Sequence, residues 1–347
     1  MPRRNTVLVA PTSMSRLYLV DLVRELAREP RAITVIAYFR SPLFDEAALG
    51  AMRDAGATVH QFAPRSYIQH VKARHDAYRL VRRVLQNGPT DLFHVHPTHF
   101  LTNWISFDVE QRRALDVHFN LIPDGLANYY VARVAAHDKP DLPRRLVNAV
   151  AGVRYYPNDG TILGLGYLPY ENYWYAGSPG IMGEFMPTRR FEVSRPGLVE
   201  PERPDSLLFF GQPRANAAGE AAYRMLLEEV AQRGHRDLQY KPHPIESLTP
   251  EFLGFLRRLG IELTTSTMPA EQLALSYSAV AGALSSAQVN LLSLGWHDTV
   301  YGVTDPEALS DLTGRSLDEA RQMSEAAVRL GILPIGLPSR AESGGTD

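Results

Sequence analysis

The sequence of 347 residues contains no cysteine, which excludes disulfides, thiolate nucleophiles and cysteine-ligated metals. This absence suits a reducing compartment. No apolar run approaches the roughly 20 residues of a membrane span. The opening "MPRRNTVLVAPTSM" has a five-residue apolar run before Pro11, too short for the core of a signal peptide. We therefore expect a cytoplasmic protein, whose association with the inner face of a membrane, if any, is peripheral.

Lysine is scarce, although 36 Lys and Arg nearly balance 38 Asp and Glu. Lysine occurs only at positions 72, 139 and 241, and the formal net charge is -2. No global basic field therefore points to nucleic acid as a partner. The hydrophobic content of 45% is that of an ordinary globular protein, and the length suggests two domains of about 150 residues each.

Short apolar runs alternate with longer helical patterns along the chain. The predicted strands are 6–10, 33–39, 58–64, 91–97, 115–125, 206–211, 238–244, 261–265, 278–286 and 299–303. The predicted helices are 15–28, 44–55, 68–86, 98–113, 217–233, 249–259, 269–276 and 287–294. Repeated strand–helix units predict parallel sheets covered on both faces. The simplest α/β architecture is two doubly wound, Rossmann-like domains that face a cleft.

The stretch 177–205 is rich in Gly, Pro, Arg and Glu and lacks periodicity, so we place the hinge there. The predicted N-terminal domain covers 1–185 and the C-terminal domain covers 186–338. The remaining tail, 339–347, is predicted to be disordered.

Ligands of open parallel sheets bind beyond the carboxyl ends of the strands, so the strand ends give the candidate site residues. In "LQYKPHPIES" (238–247), Pro242 and Pro244 exclude a helix, hold His243 in extended backbone and leave Lys241 at the strand tip. A rigid corner between strand and helix explains the two prolines as well as a functional histidine does.

Two stretches of the second half have the chemistry of an anion site. "LSSAQVN" places Ser285 and Ser286 where a helix starts, so their hydroxyls and the free N–H groups suit a phosphate. Serine is also an ordinary helix cap. Glu271 in "MPAEQLA" suits the hydroxyls of a ribose, or is a common carboxylate of a first helical turn.

In the first half, "IPDGLANYY" (122–130) ends a predicted central strand. Asp124 is either a turn residue or a general base that faces the cleft. "HVHPTH" invites a metal site of His94, His96 and His99, but no nearby carboxylate completes it. The aromatic stretch "YLPYENYWY" (167–175) indicates an interdomain interface more than a surface for stacking sugars.

The order and spacing of these short stretches resemble a known group of enzymes. "IPDG", "FGQP", "KPHP", "PAEQ" and "LSSAQVN" are similar to motifs of the bacterial sialyltransferases that use CMP-sialic acid, in the lipooligosaccharide sialyltransferase and capsular polysialyltransferase families. These families have a GT-B fold with an acidic motif before a glycine, a His-Pro motif and a Ser-Ser/Thr motif. The resemblance spans 5–330 loosely, and Pro123 replaces the first acidic position.

The resemblance implies the following roles. Asp124 is the general base, and His243 protonates or hydrogen-bonds the departing phosphate of CMP. The implied donor-binding residues are Gly211, Gln212, Lys241, Pro244, Glu271, Ser285 and Ser286. The implied acceptor-side residues are Thr12, Ser13, Gly125 and Asn128.

The resemblance implies an inverting transferase that moves a nonulosonic acid from a CMP-sugar to a glycan or glycolipid hydroxyl without a metal or other cofactor. CMP leaves with less charge than a nucleoside diphosphate, so hydroxyls, a helix end and an imidazole suffice to stabilise it. The Asp-x-Asp signature that holds a divalent ion in many sugar-nucleotide enzymes does not occur in the sequence. Three alternatives stay open: a GT-B transferase that uses CMP-Kdo or a UDP-sugar, a metal hydrolase built on the three histidines, and a nucleotide-binding module without turnover.

Overall fold

The chain forms two compact units, Met1–Ser194 and Arg195–Asp347. The protein's structure is a computed structural model that describes residues 4–10, 12, 15–39, 42–97, 99–112, 115–133, 146, 149, 150, 161–165, 168–198, 202–213, 217–244 and 246–337. The predicted tail at 339–347 lies outside the described residues.

The first unit contains a sheet of seven strands, all parallel. Its strands are β1 (Arg4–Ala10), β2 (Arg31–Tyr38), β3 (Ala57–Phe62), β4 (Thr90–His94), β5 (Val117–Leu121), β6 (Tyr170–Tyr175) and β7 (Thr188–Arg190). Val7 lies beside Thr34 of β2 and Leu92 of β4. Because β1 is a continuous apolar run with both faces covered, it takes the central place that parallel sheets give to such strands.

Four described helices connect these strands. They are α1 (Ser15–Leu26), α2 (Glu46–Asp54), α3 (Tyr67–Gln86) and α4 (Phe100–Arg112). Helix α3 starts at a capping box, in which the Ser66 side chain accepts from the Gln69 N–H and the Gln69 side chain accepts from the Ser66 N–H. Its residues Ala77, Val81 and Leu85 pack with α4 against the sheet and form the main core of the unit.

The second unit contains a sheet of six parallel strands. They are β8 (Arg203–Phe210), β9 (Asp237–Lys241), β10 (Ile261–Leu263), β11 (Tyr277–Gly282), β12 (Val300–Gly302) and β13 (Leu333–Pro334). The described helices are α5 (Ala217–Ala231), α6 (Pro250–Arg258), α7 (Ala270–Ala274), α8 (Ser286–Ser293), α9 (Pro306–Thr313) and α10 (Leu317–Leu330).

Both sheets have the same strand order. It is β3-β2-β1-β4-β5-β6-β7 in the first and β10-β9-β8-β11-β12-β13 in the second. In each unit the first strand has the second on one side and the fourth on the other, which is the doubly wound Rossmann order. The connections reverse direction between β1 and β4 and between β8 and β11, and ligands of such sheets bind at the carboxyl ends there. The prediction of two doubly wound α/β domains is confirmed.

The boundary between the units differs from the predicted one. A division at 185/186 would remove β7 from the sheet it belongs to, since Tyr173 of β6 lies beside Thr188 of β7. The observed boundary, between Ser194 and Arg195, keeps β7 in the first unit and falls inside the predicted hinge stretch 177–205.

The aromatic stretch at 167–175, predicted to lie at an interdomain interface, includes a strand of the first sheet. Its residues from Tyr170 onward form β6, and Tyr173 is buried in a cluster with Leu121, Leu163 and Met182. The stretch therefore serves the core of the first unit, where alternate aromatic side chains fill one face of a strand.

The predicted strands and helices appear in the described residues with their ends shifted by a few positions. The sequence analysis did not predict β6, β7, α9, α10 or β13. Among the described helices, none has both the length and the apolar content that crossing a bilayer requires.

Candidate functional site

The carboxyl ends of β8, β9 and β11 form one hydrogen-bonded edge in the second unit. The Gly211 N–H, after β8, donates to the Lys241 carbonyl at the end of β9 over 2.8 Å. The Gln212 side chain donates from Nε2 to the Leu284 carbonyl after β11, also over 2.8 Å. Gln212 therefore bridges the switch point of the sheet, and three of the predicted donor-side loops are brought together. We call this set of strand ends and loops, 211–212, 241–244 and 284–286, the donor edge.

Gly211 lies so close to its neighbours that no side chain fits. A Cβ atom there would be 2.4 Å from Glu246 Oε2, 2.7 Å from the Tyr240 hydroxyl and 2.9 Å from the Lys241 carbonyl oxygen. Contacts this short are not found for real Cβ atoms, and the carbonyl belongs to the backbone of a strand. The glycine is thus required by close approach of two loops.

Glu246 holds the loop that carries His243. Its Oε2 accepts from the His243 N–H over 3.0 Å, and its own N–H donates to the His243 carbonyl over 2.9 Å. Its Oε1 accepts from the Tyr240 hydroxyl at 2.5 Å, and that hydroxyl lies 3.1 Å from the Tyr223 hydroxyl. The Tyr223 hydroxyl in turn accepts from the Gln212 N–H at 3.0 Å. The loop is fixed by this network as well as by its two prolines.

The imidazole of His243 is placed at an exposed position of this fixed loop. Partial desolvation lowers its pKa from the ordinary value, and the nearby Glu246 carboxylate acts in the opposite direction. A neutral imidazole still carries one N–H that can donate to an anion. An anionic ligand would raise the pKa again, since opposite charge favours the protonated form.

The neighbours of His243 in the loop, Pro244 and Lys241, differ in exposure and in hydrogen bonding. Pro244 is exposed on the loop. The Lys241 ammonium donates to the carbonyl of Ser266, in the loop after β10, and burial lowers its pKa. Lys241 therefore ties two loops of the donor edge together.

Ser285 and Ser286 start α8, as predicted. The Ser285 hydroxyl accepts from the Gln288 N–H over 3.3 Å, which makes it the N-cap. Ser286 is the first residue of the helix. Ser285 therefore caps α8, and both serines lie at the positive end of this helix. They directly follow Leu284, whose carbonyl accepts the hydrogen bond from Gln212.

Glu271 lies on α7 and is held by α8. Its Oε1 accepts from the Asn290 amide over 3.1 Å, and Asn290 is buried. Burial raises the pKa of Glu271, and the hydrogen bond from Asn290 opposes that shift. A carboxylate held in this way has lone pairs that can accept a hydrogen bond from a hydroxyl.

Asp124 lies in the first unit, between β5 and a 3-10 helix at Gly125–Asn128. The loop is fixed by two hydrogen bonds, from the Tyr18 hydroxyl to the Pro123 carbonyl (2.8 Å) and from the Asp124 N–H to Asn128 Oδ1 (2.5 Å). The carboxylate accepts no hydrogen bond from the described residues. Burial raises its pKa, and His96 opposes the shift. Such a carboxylate is suited to take a proton from a hydroxyl.

Three of the four predicted acceptor-side residues are among the described residues. Gly125 has a φ of 71°, which favours glycine in the turn. Asn128 is fully buried, and its Nδ2 has no partner in the described residues. The same holds for Thr12 Oγ1, after β1. Ser13 lies outside the described residues.

The three histidines of "HVHPTH" do not form a metal site. Among the described residues, which include all three, no group of His, Asp and Glu side chains is arranged to hold a metal ion. His94 is fully buried, and burial together with His96 lowers its pKa to about 3. His99 packs against Phe100 with ring centroids 4.5 Å apart. The geometry therefore gives the metal hydrolase alternative no support.

Comparisons with known proteins complete the description. The sequence matches no protein-family model and no curated protein sequence. Among solved structures, the GT-B domain of a sialyltransferase from Photobacterium damselae superposes with a TM-score of 0.49 at 12% identity, over 95% of this chain and 97% of that one. A glycosyltransferase from Rickettsia africae gives 0.44 at 8% identity, over 96% and 95%.

The MnaA protein of S. aureus in its complex with UDP gives a TM-score of 0.47 at 13% identity, over 96% of this chain and 92% of that one. These matches span nearly the whole chain. None of them reaches a TM-score of 0.5, so they establish neither a family nor a reaction.

Proposed function

We propose that the protein is an inverting glycosyltransferase of the GT-B type, which transfers sialic acid or a related nonulosonic acid from a CMP-sugar to a glycan hydroxyl. The observation that carries this proposal is the donor edge. There His243, Gln212 and the start of α8 follow neighbouring strands at the switch point of a Rossmann sheet. The proposal also rests on the order of the short motifs in the sequence.

In the proposal, the phosphate of CMP binds at the start of α8, where Ser285 and Ser286 lie. A helix start offers N–H groups and a positive dipole end, both of which stabilise an anion. The Glu271 carboxylate, oriented by Asn290, accepts from the ribose. Because these donors match the charge of a monophosphate, the proposed reaction uses no metal.

The reaction begins with proton transfer at the acceptor. Asp124 takes the proton of the acceptor hydroxyl as its oxygen attacks the anomeric carbon of the donor. A new carbon–oxygen bond forms while the bond from the anomeric carbon to the phosphate oxygen breaks. The electron pair leaves with CMP, and His243 donates a hydrogen bond or its proton to that oxygen. Attack opposite to the leaving group inverts the anomeric configuration.

The acceptor side is proposed around Asp124. A glycan or glycolipid hydroxyl would pair with the buried polar atoms Thr12 Oγ1 and Asn128 Nδ2, which lack partners in the described residues. A buried polar group without a partner is costly, and a ligand that supplies the partner recovers that cost.

A panel of donors tests the proposal. Purified protein is incubated with CMP-sialic acid, CMP-Kdo and UDP-sugars, with and without glycan acceptors, and the released nucleotide is identified by chromatography. We expect CMP release from a CMP-nonulosonic acid, unchanged by a chelator and abolished in His243→Ala. Release of UDP alone assigns a different donor, and binding of CMP without turnover leaves only a nucleotide-binding module.

A further inference from the structure

The outer face of α3 is unusually basic for this chain. Exposed side chains at Ile68, Lys72, His75, Arg79 and Arg82 follow one another at a spacing of three or four positions, and the exposed Arg83 adjoins the last of them. We call these residues the α3 stripe. The opposite side of the helix, with Ala77, Val81 and Leu85, is buried in the core. A helix of 20 residues is about 30 Å long, so the stripe is a straight line of side chains over most of that length.

The charge of this region differs from that of the whole protein. Between Arg65 and Arg83 the sequence has six lysine and arginine residues and one acidic residue, Asp76, whereas the whole protein has a net charge of -2. Within the part of the chain that the structure describes, Lys72, Arg79, Arg82 and Arg83 take part in no ion pair. Their charges therefore face solvent.

Helix α10 of the second unit shows what an ordinary outer face looks like in this protein. Its exposed charged residues are Asp318, Arg321, Glu325 and Arg329, two of each sign. Its Glu319 pairs with Arg315 over 3.6 Å. Mixed signs are typical of a solvated helix face, whereas the exposed face of α3 has one acidic residue, Asp76, among its cations.

The stripe has an apolar residue at its start. Ile68 is 80% exposed in the first turn of α3, next to the cations. Since α3 follows β3, this first turn lies at the edge of the sheet where the carboxyl ends of the strands meet. Asp124, after β5, lies at the same edge.

We propose that the α3 stripe docks the protein on an anionic bilayer surface. Lysine and arginine near such a surface are attracted to its acidic headgroups, and a neighbouring isoleucine can enter the interface. A nucleic acid would also attract the cations, but an exposed aliphatic residue in line with them favours a lipid surface. The proposal is independent of the donor and of the reaction.

Vesicle co-sedimentation of the full chain tests this proposal. The vesicles contain phosphatidylcholine alone or mixed with phosphatidylglycerol. We expect binding only to the anionic vesicles, and we expect it to weaken as salt rises, because salt screens exposed charges. Ile68→Ser should lower the fraction that stays bound at high salt.

Two paired variants make the test specific. Lys72→Glu with Arg79→Glu should weaken binding to anionic vesicles by at least about tenfold. Arg321→Glu with Arg329→Glu changes the net charge equally on α10 and should bind like the unmodified protein. If the reversed charges lower the melting temperature, Lys72→Gln with Arg79→Gln replaces them, with a smaller expected loss.

Three results would overturn the proposal. The first is equal binding of the unmodified protein to neutral and anionic vesicles, or none to either. The second is an equal loss in the α10 pair, which would indicate a general effect of net charge. The third is binding to a DNA or RNA duplex in the absence of vesicle binding, which assigns the stripe to another partner.

Discussion

The first six strands of each sheet have the same order, yet several polar groups at the two carboxyl edges differ in their hydrogen bonding. In the second unit, hydrogen bonds in or beside the donor edge are made by Gln212, Tyr223, Tyr240, Glu246 and Lys241. In the first unit, Thr12 Oγ1 and Asn128 Nδ2 are buried without partners in the described residues, and Asp124 makes no capping hydrogen bond to the helix that follows it.

The two edges therefore suit different kinds of ligand binding on one fold. A network that is complete without ligand holds its groups in place before binding, so little reorganisation is needed when charge develops. Buried atoms that lack partners lower their free energy when a ligand supplies the missing hydrogen bonds. Under the proposed function, the first arrangement suits a leaving phosphate and the second suits a variable acceptor.

The largest expected effect comes from the two reactive groups, one on each edge. Asp124→Ala and His243→Ala should each lower the transfer rate by at least about 100-fold, the lower end for general acid–base catalysis. Steady-state rates with a fluorescent acceptor measure this. Both variants should keep the melting temperature of the unmodified protein. Near-normal transfer by either would remove that residue from the mechanism.

Gly211→Ala should damage the donor edge as a whole. The new Cβ would meet the Lys241 carbonyl and the Glu246 carboxylate, and such overpacking costs about 1 to 3 kcal/mol of unfolding free energy. We expect a lower midpoint in urea and weaker CMP binding by calorimetry. Gly336→Ala is the matched control, since a Cβ there meets nothing within 4 Å. Equal stability of the two variants would show that the edge is not tightly packed.

Glu246→Gln should separate position from charge in the loop of His243. Glutamine retains an acceptor for the His243 N–H but loses the negative charge that raises the pKa of the imidazole. We expect a further decrease of that pKa by NMR titration and a loss of about tenfold in kcat/KM, the size of a weakened charged hydrogen bond. Glu262→Gln, at an exposed position of β10, is the control. An unchanged pKa would contradict a role for Glu246 beside His243.

The pH dependence of kcat/KM tests the protonation states of the two reactive groups. Under the proposed function, the active form of the free protein has Asp124 deprotonated and His243 protonated. Burial raises the pKa of Asp124, and desolvation lowers the pKa of His243. The acidic and alkaline limbs of the pH–rate profile therefore approach each other. We expect kcat/KM to fall about tenfold per pH unit above the pKa of His243, which desolvation places below the ordinary value for histidine. A flat profile to pH 8 would mean that His243 acts only as a neutral hydrogen-bond donor.

Much of the fold could be predicted because alternating apolar runs and helical patterns fix a parallel α/β sheet. The strand β6 could not be predicted, because periodicity alone does not distinguish a buried strand from a contact surface. Helices α9 and α10 were missed although their caps are present in the sequence. Asp305 with Pro306 starts one, and Gly331, with a φ of 86°, ends the other.

Candidate site residues could be predicted only where a local sequence pattern marks them. Proline flanks marked His243, and a small-residue strand marked the start of α8 at Ser285. Glu246, Tyr240 and Asn290 carry no such mark, because their roles come from contacts that form after folding.

The most direct test of the account is a crystal structure of the protein soaked with CMP. The account predicts the phosphate within hydrogen-bond distance of the Ser285–Ser286 helix start and of the His243 imidazole, with the ribose beside Glu271. A nucleotide bound at another edge of the second sheet, or a phosphate that touches neither the serines nor His243, would contradict it.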